Sequence, residues 1–214
     1  MDKSIDGIIF IGSTFQLLSA LPETETLLES PVVISNGWLK NSYGVLVDEK
    51  EGSKMLSEHL YSRGRRNLIF LHSSNTESCK NKIMGFKEFI ANKEDVTGRV
   101  VTVTEEISEI DEALSSISFD GVVAEEDLLA LKVMKILGKR GIRAPEDVSV
   151  GGFNNSMMSS LVTPSLTSVD NKAIEQGVEC AIALEKILSS SKDAPKEKKI
   201  LKTIPAELIV REST

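Results

Sequence analysis

At 214 residues, 41% hydrophobic and 27% charged, the chain has enough apolar side chains to bury a core and to form one or two lobes. Its formal charge of -7 argues against a segment that grips phosphate backbone by itself, because nonspecific nucleic-acid affinity rests on Lys and Arg displacing counterions. No apolar run approaches the roughly 20 residues of a bilayer span, and Met1-Asp2-Lys3-Ser4 leads into an apolar run too short for a signal peptide, so a cytoplasmic protein without membrane contact is expected.

Short β-rich runs alternate with stretches of helical period, the pattern of βαβ units around parallel sheets. In chain order, strands are predicted at Gly7 to Ile11, Val32 to Ile34 and Tyr43 to Val47, followed by a helix from Glu51 to Arg63 that stops at Gly64. Next come a strand from Asn67 to Leu71, a helix from Lys80 to Ala91 with Ile83, Phe86 and Ile90 on one side, and strands at Val100 to Val103 and Gly121 to Ala124. In the helix predicted from Glu126 to Lys139, Leu128, Leu131, Met134 and Leu137 recur beside Leu129, Val133 and Ile136. Lys132, Lys135 and Lys139 take the outer face. Gly141 and Pro145 end that segment before a strand from Val148 to Phe153. A helix from Asn171 to Leu188 places Ile174, Val178, Ala181 and Ile182 on its inner side, and a polar loop, Ser189 to Lys199, precedes a last strand from Lys202 to Val210. Several strands are apolar throughout, as expected where helices cover both faces of a sheet.

In an open parallel sheet, ligands bind outside the carboxyl ends of the strands. That rule nominates Gly12-Ser13-Thr14, His72-Ser73-Ser74, Glu125-Glu126-Asp127 and Asn154-Asn155-Ser156, a polar set suited to a small hydroxylated or charged ligand. The same residue types are also favoured at loop ends and helix caps, so the set carries more weight than any member. Cys79 and Cys180 lie far apart with no CxxC, which suggests buried thiols and neither a zinc site nor a disulfide framework. There is no GxSxG, GxxxxGK[ST], HExxH or GxGxxG motif, and His72 beside Ser73 has no third partner legible in sequence. No catalytic residue, metal or cofactor is therefore expected.

The block from Gly141 to Asn155, GIRAPEDVSVGGFNN, followed by Leu161 to Val169, LVTPSLTSV, is similar to a signature of the LacI/GalR family of transcription regulators. Asp6-Gly7-Ile8-Ile9, Pro31-Val32-Val33, Val47-Asp48, Gly64 to Phe70, Gly85-Phe86 and Ile204 to Ser213 extend the resemblance over nearly the whole chain. The resemblance implies a type I periplasmic-binding-protein-like α/β fold. Its two Rossmann-like lobes with parallel sheets would close on an effector, sugar-like or purine-like, and pair as a homodimer. Mapped here, the first lobe is expected at 1–47 and 167–190 and the second at 48–166 and 191–214. The crossovers are placed at Val47-Asp48, at Thr167-Ser168-Val169 and near Ser190. Relative to the family pattern, the helix-turn-helix headpiece and the first strand–helix units are lacking. The first lobe is accordingly expected to be incomplete, and operator DNA to be met only through a headpiece absent from these residues.

The effector residues implied are Ser13, His72, Lys82, Glu126, Asp127 and Asn154. Three depart from the family pattern: Lys82 stands where an arginine is usual, Glu126 for an asparagine and Asn154 for an aspartate. An ammonium is a point charge and does not replace the two-pronged guanidinium, so an atypical ligand, or a Lys82–Glu126 ion pair filling part of the site, is expected. The function implied is the sensing and dimerisation core of a repressor. A sugar-binding protein of a transport system, or a regulator core without a small-molecule ligand, are the alternatives.

Overall fold

The computed structural model describes residues 5–12, 30–37, 43–189 and 200–214. Ser13 and the polar loop near Ser190 lie outside them. The chain divides into two units, one formed by Met1–Asp48 and Lys172–Ile204, the other by Glu49–Asn171 and Pro205–Thr214.

In the first unit, β1 (Ile8–Ile11), β2 (Val32–Ser35), β3 (Tyr43–Val47) and β9 (Ile200–Ile204) form a sheet in that order, every neighbour parallel. Its helix α6 (Ala173–Ser189) packs on these strands through Gln176, Cys180 and Ala183. The Gln176 side chain accepts a hydrogen bond from Ser35 Oγ at 3.1 Å. The apolar stripe predicted to face inward is instead exposed, with Ile174 at 87% and Val178 and Ile182 each at about half. The small and amide side chains sit closer to the sheet, and the larger apolar ones take the outer face.

The second unit carries a six-stranded sheet. The remaining strands are β4 (Asn67–His72), β5 (Thr97–Thr102), β6 (Gly121–Ala124), β7 (Ser149–Phe153), β8 (Thr167–Asp170) and β10 (Glu207–Ile209), arranged β10-β8-β7-β6-β4-β5 with only β10 antiparallel. Helices α1 (Glu49–Ser62), α2 (Glu77–Ala91), α3 (Ile107–Ser115), α4 (Asp127–Lys139) and α5 (Met157–Leu161) complete it. Successive strand residues point to opposite faces. Leu68, Phe70 and Val123 therefore join Leu56, Leu60 and Phe86 of α1 and α2 in one core layer, while Ile69, Leu71 and Val122 join Ile110, Val133 and Ile136 of α3 and α4 in the other. Two covered faces account for the uninterrupted apolar runs in the sequence. Gly64 and Gly141 adopt φ of +88° and +72° just past α1 and α4, the left-handed conformation that glycine supplies without strain.

The boundaries differ from those read in sequence. β8 pairs with β7 and β10, so residues 167–171 belong to the second unit and the chain crosses at 171/172. The final strand is two strands broken at Pro205: β9 pairs with β3 in the first unit and β10 with β8 in the second, which puts the last crossover at 204/205. Beyond β10, Ser213 clasps the sheet. Its N–H donates to Ser165 O at 2.9 Å, its Oγ donates to Val150 O at 2.6 Å, and its O accepts from Val150 N at 2.9 Å. Among the described residues, no helix is long and apolar enough to cross a membrane.

Candidate functional site

β4, β6 and β7 run parallel, so the turns after them gather His72, Ser73 and Ser74, then Glu125 and Glu126, then Asn154, Asn155 and Ser156 along the carboxyl edge of the second unit's sheet. Glu125 is the anchor of this edge, 5% exposed. Its Oε1 accepts from Ser73 N at 2.5 Å, Ser73 Oγ at 2.9 Å and Ser74 N at 2.9 Å, and its Oε2 accepts from Ser74 Oγ at 2.6 Å. Burial works to raise its pKa, but the donors from Ser74, Ser73 and Cys79 outweigh it and hold the carboxylate below its usual range.

Glu126, the N-cap of α4, is half-buried with an extended backbone and makes no side-chain cap bond. Burial, with repulsion from Glu125 and Glu105, raises its pKa. Asp127 next to it is 2% exposed and faces the protein: Oδ1 accepts from Ser168 Oγ and Oδ2 from Ser156 N, both at 2.6 Å. It ties α4 to β8 and to the loop after β7, and burial raises its pKa against those bonds. Asn154 is exposed with φ +97°, and its Oδ1 accepts from Asn171 Nδ2 at 3.3 Å.

Lys82, in the second turn of α2, is 6% exposed. Its ammonium donates to Glu125 O at 3.0 Å, lies 3.7 Å from Glu49 Oε1 and sits 4.8 Å over the Phe153 ring. Its carboxylate partner is thus Glu49 and not the expected Glu126. α1 and α2 pack side by side, which brings the first turn of α1 to Lys82. A buried ammonium requires such a partner.

His72 bridges two strands' ends, with Nδ1 2.9 Å from Ser74 O and Nε2 3.0 Å from Thr102 Oγ1. A carbonyl only accepts, so Nδ1 donates to Ser74 O. Ser73, Ser74 and Glu125 stand in the nominated strand-end triplets but not among the effector residues implied by the resemblance, and Glu49 was not nominated at all. Nothing in sequence marks Glu125 as more buried than Glu126, and Glu49 reaches the edge only through α1–α2 packing.

A doubly covered parallel sheet with polar groups at its carboxyl edge defines a small-molecule binding architecture. The chain belongs to the periplasmic binding protein-like domain family, whose model matches residues 57–214. It is 28% identical to an HTH-type transcriptional regulator of Lachnoclostridium phytofermentans, covering 100% of this chain and 66% of the relative. It is 26% identical to a ribose operon repressor of Halalkalibacterium halodurans, covering 99% of this chain and 63% of the relative. The chain therefore spans about two thirds of the length of the regulators it matches. Its fold is that of LacI-family structures. A LacI family transcriptional regulator from Enterococcus faecium with bound ribose superposes with a TM-score of 0.83 at 24% identity, over 98% of this chain and 80% of that one.

Proposed function

We propose that these residues form the effector-sensing and dimerising core of a cytoplasmic LacI-type transcription regulator, and that the effector is a small, neutral, hydroxylated molecule of the sugar class. The observation that carries the ligand class is the carboxyl edge itself, where hydroxyls, amides and the half-buried Glu126 carboxylate meet but the buried Lys82 ammonium is already matched by Glu49. Among the described residues of this edge, Lys82 is committed to Glu49 and the Arg211 guanidinium to Asn155 Oδ1 and Leu166 O, which favours a neutral ligand whose hydroxyls Glu126, Asn154 and His72 can match. Asp127 and Lys82 support the site by fixing α4 and α2. A ribose repressor among the relatives and a ribose-bound regulator among the structures favour the same class.

The role is sensing, not catalysis, and operator contact belongs to other residues, since this chain carries a net charge of -7. Effector binding would act by preferring one conformation of the core over another, which requires different contacts in the two. Thermal unfolding against saturating neutral sugars, sugar phosphates and purines tests the proposal, because a ligand that binds only the native state raises stability by RT ln(1 + [L]/Kd). A shift with neutral sugars that falls in Glu126→Ala is expected. No shift with any member of the panel sinks the sensing function, and a shift confined to phosphates or purines sinks the ligand class.

A further inference from the structure

Beside the effector edge, three donors of a different chemical character converge. His72 at the end of β4, Cys79 in the first turn of α2 and Glu125 after β6 each present one ligand atom, and these atoms lie within 4.8 Å of one another. Cys79 and Glu125 are buried and His72 half-buried. We propose that His72, Cys79 and Glu125 form a binding site for a single thiophilic divalent cation of the zinc class.

The placement follows from the elements. Thr76 caps α2 by accepting from Cys79 N at 3.1 Å, which fixes the thiol in the first turn above the end of β6. There its sulfur lies within 4.8 Å of the ligand atoms of the Glu125 carboxylate and of His72. Oε1 of that carboxylate already has three donors and Oε2 only Ser74 Oγ among nitrogen and oxygen donors, which leaves Oε2 the room to accept a further partner. An ion placed between Cys79 and Glu125 bonds to sulfur and carboxylate together, and the thiol proton leaves to solvent. His72 completes the set: by passing its proton between ring nitrogens it offers either one as a lone pair while the other keeps a hydrogen bond, to Ser74 O or to Thr102 Oγ1. Bonds of about 2.0–2.3 Å to N, O and S put tetrahedral ligand atoms roughly 3.5 Å apart, so the three close in by about 1 Å on binding. Sulfur, imidazole and carboxylate together select a borderline cation over Mg2+ or Ca2+, which take oxygen alone. The fourth position falls to water or a Ser74 group.

Titrating Co2+ into the full chain tests this, because a thiolate bound to cobalt absorbs intensely in the near ultraviolet. The expected result is a band that saturates at one equivalent, disappears on adding Zn2+, is lost in Cys79→Ser and persists in Cys180→Ser, whose thiol lies in the other unit. Zn2+ should also raise the melting temperature of the parent chain and not of Cys79→Ser. If Cys79→Ser does not fold, His72→Ala serves in its place and should weaken cobalt binding at least the roughly tenfold that even an outer-shell partner is worth. No band in the folded parent chain, a band that survives Cys79→Ser, or unchanged affinity in His72→Ala overturns the proposal. These readouts are taken without sugar, so failure of the cation site is distinguishable from failure of the effector reading, with which it shares His72.

Discussion

Glu126 and Asp127 are adjacent acids at one strand end, and only the backbone tells them apart. Residue 126 is extended and outside the helix, while residue 127 is the first helical residue and turns its carboxylate back onto Ser168 and Ser156. Asp127→Ala leaves a buried hydroxyl and a backbone N–H without an acceptor, and should cost about 2–4 kcal/mol in urea unfolding. Glu126→Ala should cost well under 1 kcal/mol, since no cap bond is lost. This difference was invisible in sequence, where the strand-end rule nominates both equally. Lys82 was nominated from the resemblance, but its carboxylate partner, Glu49, comes from an element 33 residues earlier, from 49 to 82, that only tertiary packing brings near. Asp147 offers a pH handle on a solvent-facing turn. Arg143 donates to it from side chain and backbone and holds its pKa down to about 2, against an ordinary 3.8. A depressed carboxylate stabilises the fold above its ordinary pKa and loses that contribution as pH falls through the folded value. Melting temperature should therefore fall less steeply between pH 3.8 and about 2 in Asp147→Asn than in the parent chain, with parallel curves above that window.

α1 and α2 approach so closely that a glycine is required between them. A Cβ on Gly85 would overlap Lys50 O, a backbone atom with nowhere to go, and would press on Ser53 Cβ at 3.1 Å. Gly85→Ala should force the two helices apart and lower the urea midpoint by the equivalent of about 2–4 kcal/mol, an effect of overpacking. Gly138→Ala in α4, where nothing lies within 4 Å of the added carbon, should be neutral or slightly stabilising. The elements most legible in sequence were those with a covered apolar face, such as β4, β6 and α4. β8 was placed at a crossover by the family resemblance, and two of its three buried residues are hydroxyls. Ser168 donates to Asp127 and accepts from Asn155 N, Thr167 pairs with Thr214, and such satisfied polar groups leave no apolar period to find. α6 misled in the opposite way, since its strongest apolar stripe faces outward and its sheet-facing side holds an amide, a thiol and a methyl group.

Each unit of the molecule presents an apolar helix face to solvent. In the first it is Ile174, Val178 and Ile182 of α6, and in the second Met157, Met158 and Leu161 of α5, with Met157 76% exposed. Exposed apolar faces of this kind are what a second copy of the same chain covers in a two-fold dimer. Sedimentation should find a dimer at micromolar concentration, and Leu161→Glu or Ile174→Glu should shift it to monomer with the far-ultraviolet spectrum unchanged. A monomer in the parent chain at every concentration tested removes dimerisation from the proposed function.

The clasp by Ser213 on Val150 and Ser165 has a consequence for how the molecule is made. During synthesis the central strands of the second unit emerge early. The segment 205–214 that seals their edge arrives only after the chain has returned through α6 and β9 of the first unit. Folding of the second unit from its N-terminal side would therefore leave β8 unpaired on its outer side until 205–214 arrives.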